Sequence, residues 1–256
     1  MLRFQVIGCS SGVPHKNLAC SGYLLKQNNR HILFDCGEGA NSAMRRLDLD
    51  PRKIDSIFIS HMHPDHCMGL PLFVQANYVL KRRSRLDIFV PFEAVRGIRN
   101  LFDLTYLYAL KLPFELEVHP FYPDSTFEMT DLKITARQNT HLSRHKELIK
   151  AARKSNRMLC YSFSILAGKS RIVYSGDIGS EKDLVGLIDN CDLLVVEQSH
   201  VDLAKLGEMI RSHRIKKTLV THLNEQFDLR KTKRLLGGMT NSKLIFAHEG
   251  LVIDVF

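Results

Sequence analysis

Six consecutive residues, His61-Met62-His63-Pro64-Asp65-His66, constrain this chain more than any other feature. Three imidazoles and a carboxylate fall within them. Just upstream, Ile54-Asp55-Ser56-Ile57-Phe58-Ile59 interleaves apolar and polar side chains as a half-buried strand does. The cluster therefore stands where a strand ends. Residues two apart in extended chain share a face, so His61, His63 and Asp65 can point the same way. Pro64 cannot continue a strand ladder but suits the start of a helix. The chain turns there, and His66 is directed elsewhere, a geometry that suits two adjacent metal ions better than one. Imidazole and carboxylate without thiolate form the donor set of a catalytic, zinc-type site. Single histidines usually belong to solvated loops, but chance does not readily place three of them in six residues around an aspartate.

The pattern His-x-His-x-Asp-His at a strand end resembles the metallo-β-lactamase superfamily. That resemblance implies further ligands far along the chain, in the order histidine, aspartate, histidine, each just past a strand. His141 follows Gln138-Asn139-Thr140, Asp177 closes Ser175-Gly176-Asp177 after Ile172-Val173-Tyr174, and His222 follows Thr218-Leu219-Val220-Thr221. The resemblance is closest to the ribonuclease Z-like phosphodiesterase branch. Three segments carry it: the opening Val6-Ile7-Gly8-Cys9-Ser10-Ser11-Gly12-Val13-Pro14, then Phe34-Asp35-Cys36-Gly37-Glu38-Gly39, then the closing Phe246-Ala247-His248-Glu249-Gly250-Leu251. Two stretches depart from ribonuclease Z. Between His141 and Asp177 there is no long tRNA-gripping arm, only a basic segment at 143–157 that reads as helical, and two strands. In the second, Glu197 matches the glutamate of a histidine-glutamate motif, but Val196 stands where that motif has the histidine proposed to protonate the leaving group.

The resemblance implies an α/β fold: a four-layer αβ/βα sandwich, two mixed β-sheets flanked by helices, with metals at one edge. It implies that His61, His63 and His141 hold one ion, that Asp65, His66 and His222 hold a second, and that Asp177 bridges them. Two zinc ions are the expected cofactors; manganese, iron or cobalt suit the same donors. Two ions about 3.5–4 Å apart can deprotonate a shared water for attack on phosphorus and neutralise charge on the phosphoryl oxygens. A leaving alkoxide still needs a proton. His200 and His248 are the candidate donors and, with Asp65, make the candidate catalytic set; for either histidine a surface or supporting role is the alternative. Asp35 suits orienting a ligand better than binding metal.

The 256 residues and 45% hydrophobic content fit a single globular hydrolase domain spanning 1–256. Strands are expected at 4–8, 22–26, 32–35, 54–60, 86–90, 114–119, 132–136, 160–166, 171–174, 193–196, 218–220, 243–246 and 251–255. Helices are expected at 40–48, 65–80, 92–101, 181–187, 202–213 and 229–236. No apolar run is long enough for a membrane helix, and the opening residues read as a strand rather than a signal peptide. Six cysteines, none in a Cys-x-x-Cys pair, favour free thiols in a reducing cytoplasm. Cys67, beside His66, suits a small helix residue better than a soft ligand.

The formal charge of +9 favours anionic partners. Basic residues cluster at Lys81-Arg82-Arg83-Ser84-Arg85, at Arg144 to Arg157, and at Arg230, Lys231, Lys233 and Arg234. Each cluster alone reads as a solvated face; two of them follow candidate ligands and make a phosphate-bearing substrate the better expectation. No RNA-recognition or zinc-finger spacing is present. The expected activity is a phosphodiesterase acting on RNA 3′ ends, cyclic nucleotides or cyclic phosphates. A thioester or lactone hydrolase on the same fold is the alternative, and a non-catalytic metal-binding protein is the third class. The expected partners are a phosphodiester substrate, RNA or a small cyclic nucleotide, and no membrane; a homodimer is the candidate assembly.

Overall fold

The computed structural model describes residues 2–237 and 243–256. The chain divides into two compact units, Met1–Phe121 with His248–Asp254, and Tyr122–Ala247 with Val255–Phe256. In the first, β1 (Leu2–Gly8), β2 (Gly22–Gln27) and β3 (Arg30–Phe34) form an antiparallel meander. Then β4 (Ser56–Phe58), β5 (Leu86–Pro91) and β6 (Leu116–Phe121) add in parallel. Parallel neighbours need crossovers, which helices supply. These are α1 (Ala40–Arg46), α2 (Pro64–Cys67), α3 (Leu70–Val79) and α4 (Val95–Leu104). They bury Met44, Phe73 and Phe102 with Leu33, Ile57 and Ile88 of the strands.

Side chains alternate across a sheet, so the residues next to those strand positions face the other way. There Phe34, Phe58, Phe89 and His119 stand in register on β3 to β6 and stack ring on ring, with centroids 5.7, 4.4 and 4.8 Å apart. Each such aromatic pair adds about 0.5–1.5 kcal/mol beyond its buried area.

The helix expected over 65–80 is two helices. Pro71 has no N–H for the carbonyl four residues back, and the Gly69 N–H donates instead to the Cys36 carbonyl at 2.8 Å. A Cβ at Gly69 would lie 2.4 Å from the Gly37 carbonyl oxygen, and one at Gly37 would lie 2.0 Å from that of Asp65. These two glycines let the turn after β3 press against the segment that carries Asp65 and His66.

The second unit begins with an antiparallel meander of β7 (Thr126–Met129), β8 (Leu132–Gln138), β9 (Tyr161–Ala167) and β10 (Ser170–Tyr174). It continues in parallel through β11 (Leu193–Glu197), β12 (Lys217–Thr221) and β13 (Leu244–Phe246). Its helices are α5 (Lys146–Ala151), α6 (Leu203–Ser212) and α7 (Leu229–Leu235). Leu206 and Ile210 of α6 pack with Val173, Leu194 and Val220 of the sheet. The last strand, β14 (Val252–Val255), returns to the first sheet at its β1 edge. Among the described residues both sheets thus have seven strands and mixed direction.

Strand β7 was not anticipated from the sequence. The helix expected over 181–187 is one 3-10 turn, Glu181–Leu184, capped by Ser180 and ended by extended Val185 and left-handed Gly186. The 143–157 segment starts as a 3-10 turn, His141–His145, before α5. The first basic cluster is largely structural. Arg82 is buried and donates to the carbonyls of Pro51, Ser84 and Arg85, while Arg85 pairs with Asp87 and Glu115.

Candidate metal centre

In the first unit β1, β3 and β4 run the same way, so the segments after them leave from one edge of the sheet. Asp35 follows β3 and the histidine cluster follows β4. Asp35 is fully buried in a left-handed conformation, φ 57°. Its Oδ1 accepts from the Ser60 N–H at 2.6 Å, and its Oδ2 from the Ser60 hydroxyl at 2.8 Å. His66 Nδ1 lies 2.7 Å from the same Oδ2. A carboxylate only accepts, so Nδ1 carries the proton and Nε2 is left with its lone pair. That Nε2 stands 3.7 Å from Asp65 Oδ2. The His61 ring centroid lies 4.2 Å from that of His66 and 4.6 Å from that of His63. Ser60 Oγ is 3.0 Å from His61 Nδ1. His63 is extended and precedes Pro64, which opens α2.

In the second unit β8, β10, β11 and β12 share one direction, so their C-terminal ends also share an edge. His141, Asp177, His200 and His222 all lie just beyond those ends. Asp177 is buried. Its Oδ2 lies 3.6 Å from His141 Nε2, and its Oδ1 lies 3.5 Å from His222 Nε2. Such distances are long for hydrogen bonds. Two donors on one tetrahedral ion, each about 2.1 Å from it, stand about 3.4 Å apart. The donor set thus fits divalent metal.

Three supporting residues fix these loops. Asn139, which sequence reasoning passed over, accepts from the His141 N–H at 3.1 Å and donates to the Asp177 carbonyl at 2.9 Å. The signal was its place two residues before His141, where Asn caps a turn with its side chain. Glu197 is buried and accepts from the N–H groups of Ser199 at 2.6 Å, His200 at 2.9 Å and Ile178 at 3.3 Å. Ser199 in turn donates its hydroxyl to the His222 carbonyl at 2.8 Å.

His200 Nδ1 lies 3.2 Å from Glu197 Oε1 and 3.7 Å from Asp177 Oδ2. The Glu197 hydrogen bond raises its pKa above the ordinary histidine value, against burial and the Arg144 charge. Glu197, His200 and His222 present donor atoms within 4.8 Å of one another. His248 belongs to the first unit and is exposed, with Nδ1 3.0 Å from the Glu249 carbonyl. Its neighbour Glu249 accepts from the Ala19 N–H at 2.6 Å and from Arg46 at 2.8 Å. All six cysteines are free and buried. Cys67 packs in the apolar cluster of the first unit, and burial pushes its thiol up to about 12.

A family model described as anti-Pycsar protein Apyc1 matches residues 2–243. Ribonuclease Z of Methanothermobacter thermautotrophicus is 24% identical over 89% of this chain and 88% of its own length. That of Azobacteroides pseudotrichonymphae is 26% identical over 100% of both. Among solved structures, the metallo-β-lactamase fold protein YhfI from Bacillus subtilis superposes with a TM-score of 0.80, at 22% identity, over 99% of this chain and 100% of its own. Human tRNase Z, short form, gives 0.75 at 19% identity over 99% of each. The fold expected from the sequence is therefore the fold the chain has. No described helix is long and apolar enough to cross a membrane. With this match over nearly its whole length, the chain belongs to the anti-Pycsar protein Apyc1 family, within the ribonuclease Z-like, metal-dependent phosphodiesterase branch of the metallo-β-lactamase superfamily.

Proposed function

We propose that this chain hydrolyses phosphodiester bonds at a centre for two divalent ions, with small cyclic nucleotides or cyclic phosphates as the first substrate class and RNA 3′ ends as the second. Asp177 carries the reading: its two oxygens address two different imidazoles, as a bridging carboxylate does. In this reading His61, His63 and His141 hold one ion, Asp65, His66 and His222 hold the other, and zinc is the first expectation. Both units must then act as one domain over 1–256. When bound, such ions supply Lewis acidity to the phosphoryl oxygens and acidify the attacking water.

The chain's own residues do the rest. Asp35 fixes the tautomer of His66, and Asp65 offers a carboxylate oxygen to accept the proton of the attacking water. His200, oriented by Glu197 through Nδ1, presents Nε2 to the leaving oxygen and donates its proton. His248 is the second candidate for that role. Arg144 and the exposed cations after it attract the substrate phosphate; the Arg144 charge already acts on His200.

The compact stretch from His141 to Asp177, with one short helix and two strands, supports a small substrate. The family is also described by an anti-Pycsar protein rather than by a ribonuclease. The basic segment supports RNA as the second class and weighs against thioesters or lactones. Six free cysteines support the reducing cytoplasm as its location, and we take a homodimer as the working assembly. A hydrolysis panel of a cyclic nucleotide, a bis-aryl phosphodiester, a pre-tRNA and a thioester tests the proposal. Chelator-sensitive cleavage of the phosphodiesters is expected; turnover of the thioester alone would overturn it.

A further inference from the structure

Arg211, Arg214 and Lys243 meet around a cavity of about 170 Å³ in the second unit, which Ile210, Ile215 and Thr218 also line. Among the described residues no carboxylate lines it. The acids at that end of the sheet are engaged elsewhere: Asp192 pairs with Lys216, and Asp189 with His213. Arg214 and Lys243 are exposed, and neither has an acidic partner among the described residues. Thr218 differs from them, a polar residue only 1% exposed at the second position of β12.

Two glycines shape the wall of the cavity. Where α6 meets the end of α7, a Cβ at Gly207 would lie 2.8 Å from the Leu236 carbonyl oxygen. Arg211 donates to the same carbonyl at 3.0 Å and crosses Gly237, where a Cβ would collide with its Nη1. That contact holds the guanidinium in place and uses one of its five N–H groups. Arg214 follows the end of α6 in a left-handed conformation, φ 42°, a position that helices commonly give to glycine. An arginine there carries a steric cost and sets a long cationic side chain beside the cavity.

We propose that this cavity is a second anion site of the chain, one that takes a phosphate monoester. Arg211, Arg214 and Lys243 supply the charge, and the Thr218 hydroxyl donates a hydrogen bond. Three cations suit a dianion with three free oxygens, and arginine pairs such oxygens two at a time. A carboxylate carries half that charge. The cavity equals the volume of about five or six waters at about 30 Å³ each, room for one phosphate group but not for a run of nucleic-acid backbone. The last carbonyls of α6 oppose an anion with about half a charge, far less than three cations supply. Strand β12 separates the cavity from the candidate metal centre, because Thr218 precedes His222 by roughly 13 Å of extended chain. A phosphate bound here is thus distinct from one held by metal.

Isothermal titration of the metal-loaded full chain tests this with inorganic phosphate, with adenosine 5′-monophosphate and, lacking the phosphate, with adenosine. The binding step of this site should persist in Asp177→Ala, which separates it from phosphate held at the metal centre. It should weaken about 10-fold or more in Arg214→Gln and in Lys243→Gln, each of which loses a charge-assisted hydrogen bond, and about 3-fold in Thr218→Val. Lys169→Gln, an equal change of charge on the exposed turn between β9 and β10, should leave it unchanged. Melting curves check that the variants are folded; the two cations are exposed, so the fold does not need them. Inorganic phosphate binding as tightly as the monophosphate would identify the phosphate group alone as the ligand, and tighter binding of the monophosphate would identify a nucleotide; both support the site. A wild type with no such step would overturn it, as would equal weakening in Lys169→Gln, or a step that folded Arg214→Gln and Lys243→Gln leave within twofold. Equally tight binding of adenosine, or binding of single-stranded RNA but of neither phosphate compound, would also overturn it.

Discussion

Asp35 accepts three hydrogen bonds in a fully buried place, and each constrains what can replace it. In Asp35→Asn the shape is kept and one oxygen becomes an NH2 group. If that group takes the Oδ1 position, it faces the Ser60 N–H at 2.6 Å, donor against donor. If it takes the Oδ2 position, it donates to His66 Nδ1, whose proton must then move to Nε2. Nε2 is the nitrogen nearest Asp65, the one that would hold the proposed second ion. Either arrangement costs the unmade hydrogen bond of a buried donor, about 1–3 kcal/mol of stability, and the second also blocks a ligand. Loss of a partner behind a metal-binding histidine typically weakens metal affinity about 10–100-fold, equal to about 1.4–2.8 kcal/mol. Competition against a chromophoric chelator should resolve two binding steps in wild type. In Asp35→Asn the step assigned to Asp65, His66 and His222 should weaken by that factor and the other by less. A variant shown to be folded by its melting curve, with both constants unchanged within twofold, would refute the tautomer argument.

Other perturbations separate the remaining roles. His200→Ala should slow an alkyl phosphodiester by about 100-fold or more, the scale of general acid catalysis, while barely affecting a nitrophenyl ester and retaining metal; equal slowing of both would pass the role to His248. Replacing exposed Arg144, Lys146 and Arg153 with glutamine should raise KM more than it lowers kcat, with an effect that shrinks as salt rises; unchanged kinetics at low salt would return the segment to a solvated helix. Burial pushes the Asp87 carboxyl up, but hydrogen bonds from Arg85 and His119 outweigh it and hold the group below the usual carboxylate range. A carboxyl depressed on folding stabilises above its unfolded pKa and loses that contribution as pH falls through its folded value. Asp87→Asn should therefore lower stability at pH 7 by about 1 kcal/mol or less, screened as the pair is, and show a smaller drop from about pH 4 downward than wild type; an identical acid profile would remove Asp87 from the account.

The cluster His61 to His66 was legible from its own residues at a strand end, whereas the candidate ligands His141, Asp177 and His222 were legible through the family resemblance, which implies ligands just past later strands. His61 to His66 follow β4, and Asp177 and His222 follow β10 and β12. The sheets were legible because buried strands such as Leu193–Glu197 are nearly continuous apolar runs. The break at Gly69 was written in Pro71 but was masked by the apolar periodicity on both sides. Strand β7, Thr126–Met129, carries too little apolar sequence to announce itself, and exists because β8 offers it a hydrogen-bonding edge. Arg82 looked like part of a cationic surface, and only packing shows that four acceptors hold it inside. Ser60 was hidden because its partners are set by loop geometry, whereas Asn139 was marked by its place two residues before His141, where its side chain caps the turn.

The proposed chemistry depends on a pair of metal ions joined by Asp177, and the metal content of each chain reports directly on that pair. Elemental analysis of protein loaded to saturation and freed of loose ions should give two divalent ions per chain. Asp177→Ala, folded by its melting curve, should lose at least one of them together with phosphodiesterase activity. A saturated, active wild type holding one ion per chain would contradict the account.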